Sequence, residues 1–231
     1  RIEGDRMTAD PIAPPKPHIN DLFSAADLKQ AIDDGYVRVQ HHPELPLHIM
    51  NYSEKVQWEK AWTPVTLACR GLIVDDEGNI VARPFGKFFN YSEHPEGSLS
   101  LTEPARVTDK KDGSLGILYP TPDGHAIATR GSFTSEQALH ATKIWNERYA
   151  DKVRTDPDLT WLFEIVFPAN RIVVDYGDLD DLILLGAVEL ETGKPVSPLW
   201  ITWPGPKTEQ FSYETLADAL AAPPRAGAEG L

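Results

Sequence analysis

The chain has 231 residues, of which 41% are hydrophobic and 9% aromatic, and this length and composition fit one large globular domain. Its formal net charge of −13 argues against a surface that binds phosphates everywhere, because nonspecific nucleic-acid binding depends on Lys and Arg; a confined basic groove is still compatible with it. Cys69 is the single cysteine, which excludes an intrachain disulfide and a thiolate-rich zinc site, and its apolar neighbours predict a small buried residue rather than a nucleophile.

The sequence contains no apolar run near the roughly 18 to 20 residues that a membrane span needs, and its N-terminus lacks the apolar core of a signal peptide. We therefore predict no membrane partner and a cytoplasmic protein. The opening residues RIEGDR resemble a tag remnant, and the Pro-rich stretch after them is predicted to be flexible. Residues 1–17 are set apart on this basis, and residues 18–231 are predicted to form the domain.

The first predicted element is a helix within residues 22–35, with Asn20 or Asp21 as its N-cap and Gly35 at its end. Three pairs of segments then alternate like strands and are joined by turn residues. These pairs are 36–40 with 47–53, 70–74 with 80–85, and 113–120 with 125–132.

A second helix is predicted over residues 135–153, where Thr134 and Gln137 have the spacing of a capping box. The segments 159–168, 170–176 and 181–190 are rich in Val, Ile, Leu and Phe and are predicted strands, and residues 212–222 predict a short helix. Strands joined mostly by hairpins, with few intervening helices, indicate an α+β fold with antiparallel sheets flanked by helices.

The stretch KKDGS places Lys110 and Lys111 in front of Asp112-Gly113. Asp-Gly between two strand-like segments is a good hairpin signal, and flanking lysines would then serve only to solvate the turn. A nucleophilic lysine needs instead a partly buried pocket that lowers its pKa, and a tight turn can supply a rigid mount. The local pattern alone favours the turn.

Four blocks in the same order resemble the phage-type RNA ligase 1 family, one of the covalent nucleotidyltransferases. The resemblance covers roughly residues 60–190. The blocks are RGLIVDDEGNIVARPFGKFFNYSEHPEG at 70–97, KKDGSLGILY at 110–119, RGSFTSEQALHA at 130–141 and FEIVFPANRIVVDY at 163–176. The resemblance implies the nucleotidyltransferase (ligase adenylation) fold and an adenylyltransferase (RNA ligase) domain over residues 18–231.

The family motif Lys-x-Asp-Gly fixes the register at the two lysines. Lys110 stands two positions before the aspartate, so the resemblance implies that Lys110 attacks the α-phosphorus of ATP and holds AMP covalently, while Lys111 is the variable residue. Gly113 completes the motif and belongs to the implied nucleotide site.

The resemblance also implies an ATP- and AMP-binding set around this lysine. Arg70, Lys87 and Arg130 match positions that the family uses around the nucleotide, whereas Arg83 is a weaker candidate and Arg171 either structures its turn or contacts the nucleotide. Strand 181–190 carries only aliphatic residues where wider relatives place an aromatic against the base, so adenine is predicted to pack on Leu or Val.

Two carboxylates complete the implied site. Glu164 lies in an otherwise apolar run, where a lone carboxylate is costly unless it is paired, and it matches the family glutamate that binds the ribose hydroxyls. Glu229, followed by glycine, resembles the next motif, whose glutamate helps to place a metal. Asp112 and Glu229 are therefore the predicted metal-binding residues, for Mg²⁺ or Mn²⁺ bound with ATP.

No Lys-x-Lys follows Lys110, although the family has such a strand as its last core motif; either the chain stops before this motif or the lysines that bind the α-phosphate are missing. The predicted function is an ATP-dependent RNA ligase acting on 5′-phosphate and 3′-OH RNA ends, including tRNA, with an end-healing kinase or phosphatase as partner. The alternatives are an ATP- or RNA-binding module without turnover, a DNA ligase, or a capping guanylyltransferase.

Overall fold

A computed structural model describes residues 16–231, so nearly all of the predicted tag remnant and flexible segment lies outside the described residues. Strands and helices are numbered in chain order. The first sheet has four antiparallel strands in the order β1-β2-β3-β4. They are β1 (Val37–His41), β2 (Leu47–Tyr52), β3 (Arg70–Asp75) and β4 (Ile80–Ala82).

The second sheet has five antiparallel strands in the order β10-β9-β8-β6-β7. They are β6 (Ser114–Thr121), β7 (Gly124–Ala128), β8 (Leu159–Val166), β9 (Asp181–Glu189) and β10 (Pro195–Val196). A two-stranded antiparallel ribbon joins β5 (Val107–Thr108) to β11 (Gln210–Phe211). The predicted α+β fold with antiparallel sheets and the three predicted strand pairs are thereby confirmed.

The helices begin at caps that differ by a few residues from the predicted ones. The Oγ of Ser24 accepts the Asp27 N–H at the start of α1, whereas Asn20 and Asp21 belong to a separate 3₁₀ turn. Ser135, rather than Thr134, caps α4, which continues as a π-helical turn. The helices are α1 (Ala25–Asp33), α2 (Glu54–Glu59), α3 (Pro64–Ala68), α4 (Glu136–Ile144) and α5 (Leu216–Ala221).

Two predictions about local structure are wrong. Asp112-Gly113 is not a hairpin turn, because β5 pairs with β11 and β6 pairs with β7 and β8 in another sheet. Residues 170–176 are not a strand but part of the loop between β8 and β9. The backbone N–H groups of Val173 and Val174 donate to the Asp112 side chain, so they are not available to a sheet ladder.

Alternating side chains divide the core into layers. In β3, Leu72 and Val74 pack beneath α1 and α3, whereas Ile73 faces the second sheet. In β8, Leu162 faces the first sheet, and Phe163 packs on the opposite side with α4. The two sheets therefore stack face to face between outer helices. Within the described residues, no helix combines the length and apolar character that a membrane crossing requires.

Replacing Phe163 by alanine tests this layering. Its side chain is fully buried, so the variant is expected to lose about 3–5 kcal/mol of unfolding free energy through lost burial and the cavity left behind. Urea denaturation at constant pH measures the difference. Leu139→Ala removes an exposed side chain of α4 and should change the free energy by less than about 0.5 kcal/mol. Equal losses in the two variants would contradict the layering.

Candidate functional site

A cavity of about 660 Å³ opens where the two sheets meet the segment before β6. This volume falls in the range of ligand pockets, which is about 300–1,000 Å³. The lining residues come from both sheets, from the loop after β7 and from the segment that contains Lys110. They are Asn51, Arg70, Phe85, Phe88, residues 108–111, residues 113–115, residues 129–131, Glu164, Leu185, Thr208 and Leu231.

Lys110 sits on an extended segment that is paired at several points with distant parts of the chain. Its backbone N–H donates to the Gly230 carbonyl at 3.0 Å. One residue earlier, the Asp109 carbonyl accepts the hydroxyl of buried Thr208 at 2.7 Å. The Lys110 side chain is about half exposed, and its ammonium group forms an ion pair with Glu229. The lysine is thus held by its backbone and projects into the cavity.

Lys111 has a different partner. Its Nζ lies 2.5 Å from the carboxylate of Asp109, which is buried and also pairs with Arg225. Burial works to raise the pKa of Asp109, but the hydrogen bonds from Lys111 and Arg225 outweigh it and lower that pKa below its ordinary value. Lys111 therefore belongs to a charge cluster that fixes the strand, whereas Lys110 faces a carboxylate from another segment.

Two guanidinium groups face the cavity opposite the lysines. Arg70 lies over the ring of Phe88, its Cζ 4.9 Å from the centroid, and Arg130 donates to the Tyr52 hydroxyl at 3.1 Å. Burial, and then the neighbouring Arg130, lower the pKa of Arg70. Two cations that repel each other at one wall form a site suited to a polyanion, which would relieve the repulsion.

Glu164 supplies a carboxyl group to the same cavity from the middle of β8. Burial raises its pKa to about 8; Lys110 and Arg70 oppose that rise, and the carboxylates of Glu229 and Asp112 add to it. A glycine is needed at position 113, because a Cβ there would lie 2.6 Å from the Ile165 carbonyl oxygen and 3.1 Å from the Glu164 Cγ.

The structure places several predicted site residues away from the cavity. Lys87 does not line it: the amine donates to the Phe88 carbonyl and lies over the rings of Phe89 and Trp62, at 4.4 and 5.3 Å. Arg171 pairs with Asp175 within its own loop.

Arg83, the weaker candidate, donates to the carbonyl oxygens of Leu190 and Glu191 and serves the β9–β10 turn. The apolar setting of Cys69 had predicted a buried structural residue. Its thiol is fully buried, and burial raises its pKa to about 12, so that interpretation is confirmed.

Asp112 is turned toward the loop between β8 and β9. Its Oδ2 accepts the N–H groups of Val173 and Val174, each at 2.6 Å, and its own N–H donates to the Tyr176 hydroxyl at 2.8 Å. Among residues 16–231, no group of three or more His, Cys, Asp or Glu side chains could hold a metal ion. Oδ2 of Asp112 thus holds the β8–β9 loop, and the metal role of Asp112 stays a prediction.

Sequence reasoning missed the Asp109–Arg225 pair and the hydroxyl of Tyr176. The alternation around Lys110 could have indicated that Asp109 is buried, but its partner lies 116 residues away and no motif connects them. Tyr176 ends the motif block at 163–176. Its contact with Asp112 depends on a loop over residues 170–176, which the sequence pattern predicted to be a strand.

A family model described as RNA ligase, of the T4 RNA ligase 1 type, matches residues 68–215. The chain belongs to this RNA ligase family. Lys110, Gly113, Arg70, Arg130 and Glu164 all lie inside the matched residues, and all five line the same cavity.

Named relatives agree with the RNA ligase family. A protein of Autographa californica nuclear polyhedrosis virus, named as a bifunctional polynucleotide kinase/RNA ligase, is 27% identical over 201 residues, covering 76% of this chain and 29% of that protein. One from Thermovibrio ammonificans, named as an RNA ligase, is 30% identical over 145 residues, covering 57% of this chain and 36% of that protein. The chain thus spans about a third of the length of these relatives.

Among solved structures, a protein named as an ATP-dependent DNA ligase from Aquifex aeolicus is similar. It shares 18% identity with a TM-score of 0.47, over 81% of this chain and 50% of that one.

Glu164→Gln tests the buried carboxyl group through pH. Because the folded-state pKa is raised, the stabilisation associated with the bound proton is complete below about pH 4.5 and is lost as pH rises through about 8. The glutamine variant should therefore gain stability over the unmodified protein across that window, by a few kcal/mol in order of magnitude. Urea denaturation at several pH values measures it, and exposed Glu103→Gln should show no such trend.

Asp112→Ala tests the loop anchor. Removing the carboxylate leaves the Val173 and Val174 N–H groups without their acceptor, so hydrogen exchange at these amides should quicken at least about tenfold. Asp178→Ala is the control, since the exposed Asp178 side chain makes no hydrogen bond or ion pair with the described residues. Unchanged exchange in Asp112→Ala would contradict the role of this carboxylate as the anchor of the β8–β9 loop.

Proposed function

We propose that this chain is the adenylyltransferase part of an ATP-dependent RNA ligase and that Lys110 carries the AMP. The supporting observation is that Lys110, Arg70 and Arg130 face one cavity of about 660 Å³ in a protein whose net charge is −13. Cations gathered in one concave place on an acidic protein favour a polyphosphate ligand over a general anionic surface. Family membership adds the expectation of nucleotidyl transfer.

In the proposed first step, the lone pair on the Lys110 Nζ forms a bond to the α-phosphorus of ATP. The bond from that phosphorus to the bridging oxygen breaks, and pyrophosphate leaves with the electron pair. Arg70 and Arg130 lie where they can stabilise the charge that develops on the phosphate oxygens. Lys111 is held by Asp109 and contributes charge from a fixed position.

The ion pair between Lys110 and Glu229 has to open before this attack, because an ammonium group has no lone pair to donate. Glu229 is the carboxylate closest to that amine and is the proposed acceptor of its proton. Binding of the triphosphate favours the opening of this ion pair, since its phosphate groups are stronger partners for the cations of the cavity than the Glu229 carboxylate is.

The remaining lining residues suit the nucleoside. Glu164 is proposed to accept hydrogen bonds from the ribose hydroxyls, and Leu115 and Leu185 offer apolar surface for adenine. Mg²⁺ or Mn²⁺ is proposed to accompany the triphosphate and to neutralise part of its charge. The described residues supply no preformed ligand set of three or more His, Cys, Asp or Glu side chains for that ion.

In the later steps of the proposed reaction, AMP passes to an RNA 5′-phosphate and a 3′-OH then displaces it to seal the strand. Broken RNA ends, including tRNA loops, are the proposed substrates. An end-healing kinase or phosphatase is the proposed partner, and the viral relative named as both kinase and ligase supports this pairing. The proposed place of action is the cytoplasm.

ATP labelled at the α-phosphate tests the proposal. With Mg²⁺ or Mn²⁺ present, label should remain on the denatured protein, disappear in Lys110→Ala and persist in Lys111→Ala, which keeps the nucleophile. Lys111→Ala is a matched control because it removes the neighbouring amine. Loss of label only in Lys111→Ala would contradict the assignment of the nucleophile.

Binding without covalent label would support a second candidate, a nucleotide-binding module without turnover. The observation that favours this candidate is the Lys110–Glu229 ion pair, which occupies the nucleophile. Labelling with GTP in preference to ATP would favour a capping enzyme, and joining of nicked DNA in preference to RNA would favour a DNA ligase.

A further inference from the structure

A row of side chains leads outward from the cavity along the segment that carries Lys110. Exposure alternates along it: Val107 and Asp109 are each 8% exposed, whereas Arg106, Thr108 and Lys110 are more accessible. Alternate residues of an extended segment point to the same side. Thr108 to Lys111 all line the cavity, and Thr108 and Lys110 form the more accessible side of the segment; Arg106 follows them on that accessible side.

The backbone of this segment is extended on both sides of β5. Pro104 bridges to Thr215, β5 pairs with β11, and Lys110 bridges to Gly230, all antiparallel. Arg106 lies four positions before Lys110, which corresponds to about 13 Å at the rise of a strand. The row is held along its length by antiparallel pairing with residues 209–215 and with Gly230.

Trp200 stands beside the outer end of the row. Its side chain is 77% exposed, and the Cζ of Arg106 lies 5.7 Å from its ring centroid. The 3₁₀ turn that carries it is fixed from below: the Lys207 Nζ donates to the Pro198 carbonyl at 3.0 Å, and the Ser197 hydroxyl donates to Gln210 in β11 at 2.9 Å. An exposed indole on such a rigid support is not explained by packing.

The charges along this row favour an anionic strand. Arg106 forms no ion pair with any residue from 16 onward, so its charge is available to a ligand. An indole face next to a guanidinium group is the pairing with which proteins hold single-stranded nucleic acid, the ring stacking on a base and the cation meeting the backbone.

We propose that Arg106 and Trp200 form a subsite for single-stranded RNA outside the cavity, a few nucleotides from the reacting end. A base stacks on the open face of Trp200, and Arg106 meets a neighbouring phosphate. The choice of RNA rests on the function proposed above, whereas the subsite itself rests on the extended row and the exposed indole. The subsite provides the acidic protein with a local binding surface for its substrate.

RNA affinity tests the subsite apart from the chemistry. A fluorescent single-stranded RNA with a 5′-OH cannot accept AMP, so anisotropy titration reports binding alone. Trp200→Ala should weaken binding about tenfold and Trp200→Phe less than about twofold, because phenylalanine still stacks. Trp58→Ala is the matched control, since Trp58 is 84% exposed on α2 and lies outside the cavity lining. Equal affinity in the unmodified protein and Trp200→Ala, or an equal loss in Trp58→Ala, overturns the subsite.

Salt dependence tests the arginine. Arg106→Ala should reduce the slope of log affinity against log salt by about 0.7, the value for one phosphate contact on a single strand. An unchanged slope overturns the assigned role of Arg106.

Covalent labelling by ATP, scored in the same variants, separates this inference from the proposed function. Trp200→Ala should label as the unmodified protein does, and lost labelling together with lost RNA binding would show a structural defect and overturn the subsite. RNA binding that depends on Trp200 in a protein that never takes label would support the subsite while the proposed function fails. Labelling of the protein together with unchanged RNA affinity in Trp200→Ala would support the proposed function and overturn the subsite.

Discussion

The site depends on the burial of one carboxyl group, that of Glu164, in the middle of a strand covered on both faces. A carboxyl group at that depth is tolerated only if it keeps its proton or has cations in front of it, and Lys110 and Arg70 provide those cations. Gly113 adds no side chain against Glu164, where a Cβ would lie 3.1 Å from the Glu164 Cγ. The balance of charges in the cavity, rather than any single contact, thus determines which charged side chains the cavity tolerates.

Scaffold and chemistry are carried by the same strands. In β8, Leu162 and Phe163 bind the layers together, and the next residue is Glu164. In β3, Arg70 begins a strand whose following residues are buried in two layers. Because packing fixes the strand register to a single residue, the positions of these charged groups are set by the core.

Much of the fold could be predicted from the sequence, because period-two alternation and turn residues are local signals, and the first three strand pairs occur where expected. The segment before Asp112-Gly113 could not, since its partner β11 lies about a hundred residues later. The loop at 170–176 looked like a strand because its Val and Ile residues suit one. Motif spacing found Lys110, Arg70, Arg130 and Glu164, but it could not show that Lys87 turns toward two aromatic rings.

The pairing of the Lys110 segment with residues 209–230 also constrains the order of assembly. Asp109 meets Thr208 and Arg225 across 99 and 116 residues, so this part of the fold has a high contact order. On the ribosome, both sheets can form while the Lys110 segment still has no partner. The scaffold is therefore expected to form before the Lys110 segment is held in place at the cavity.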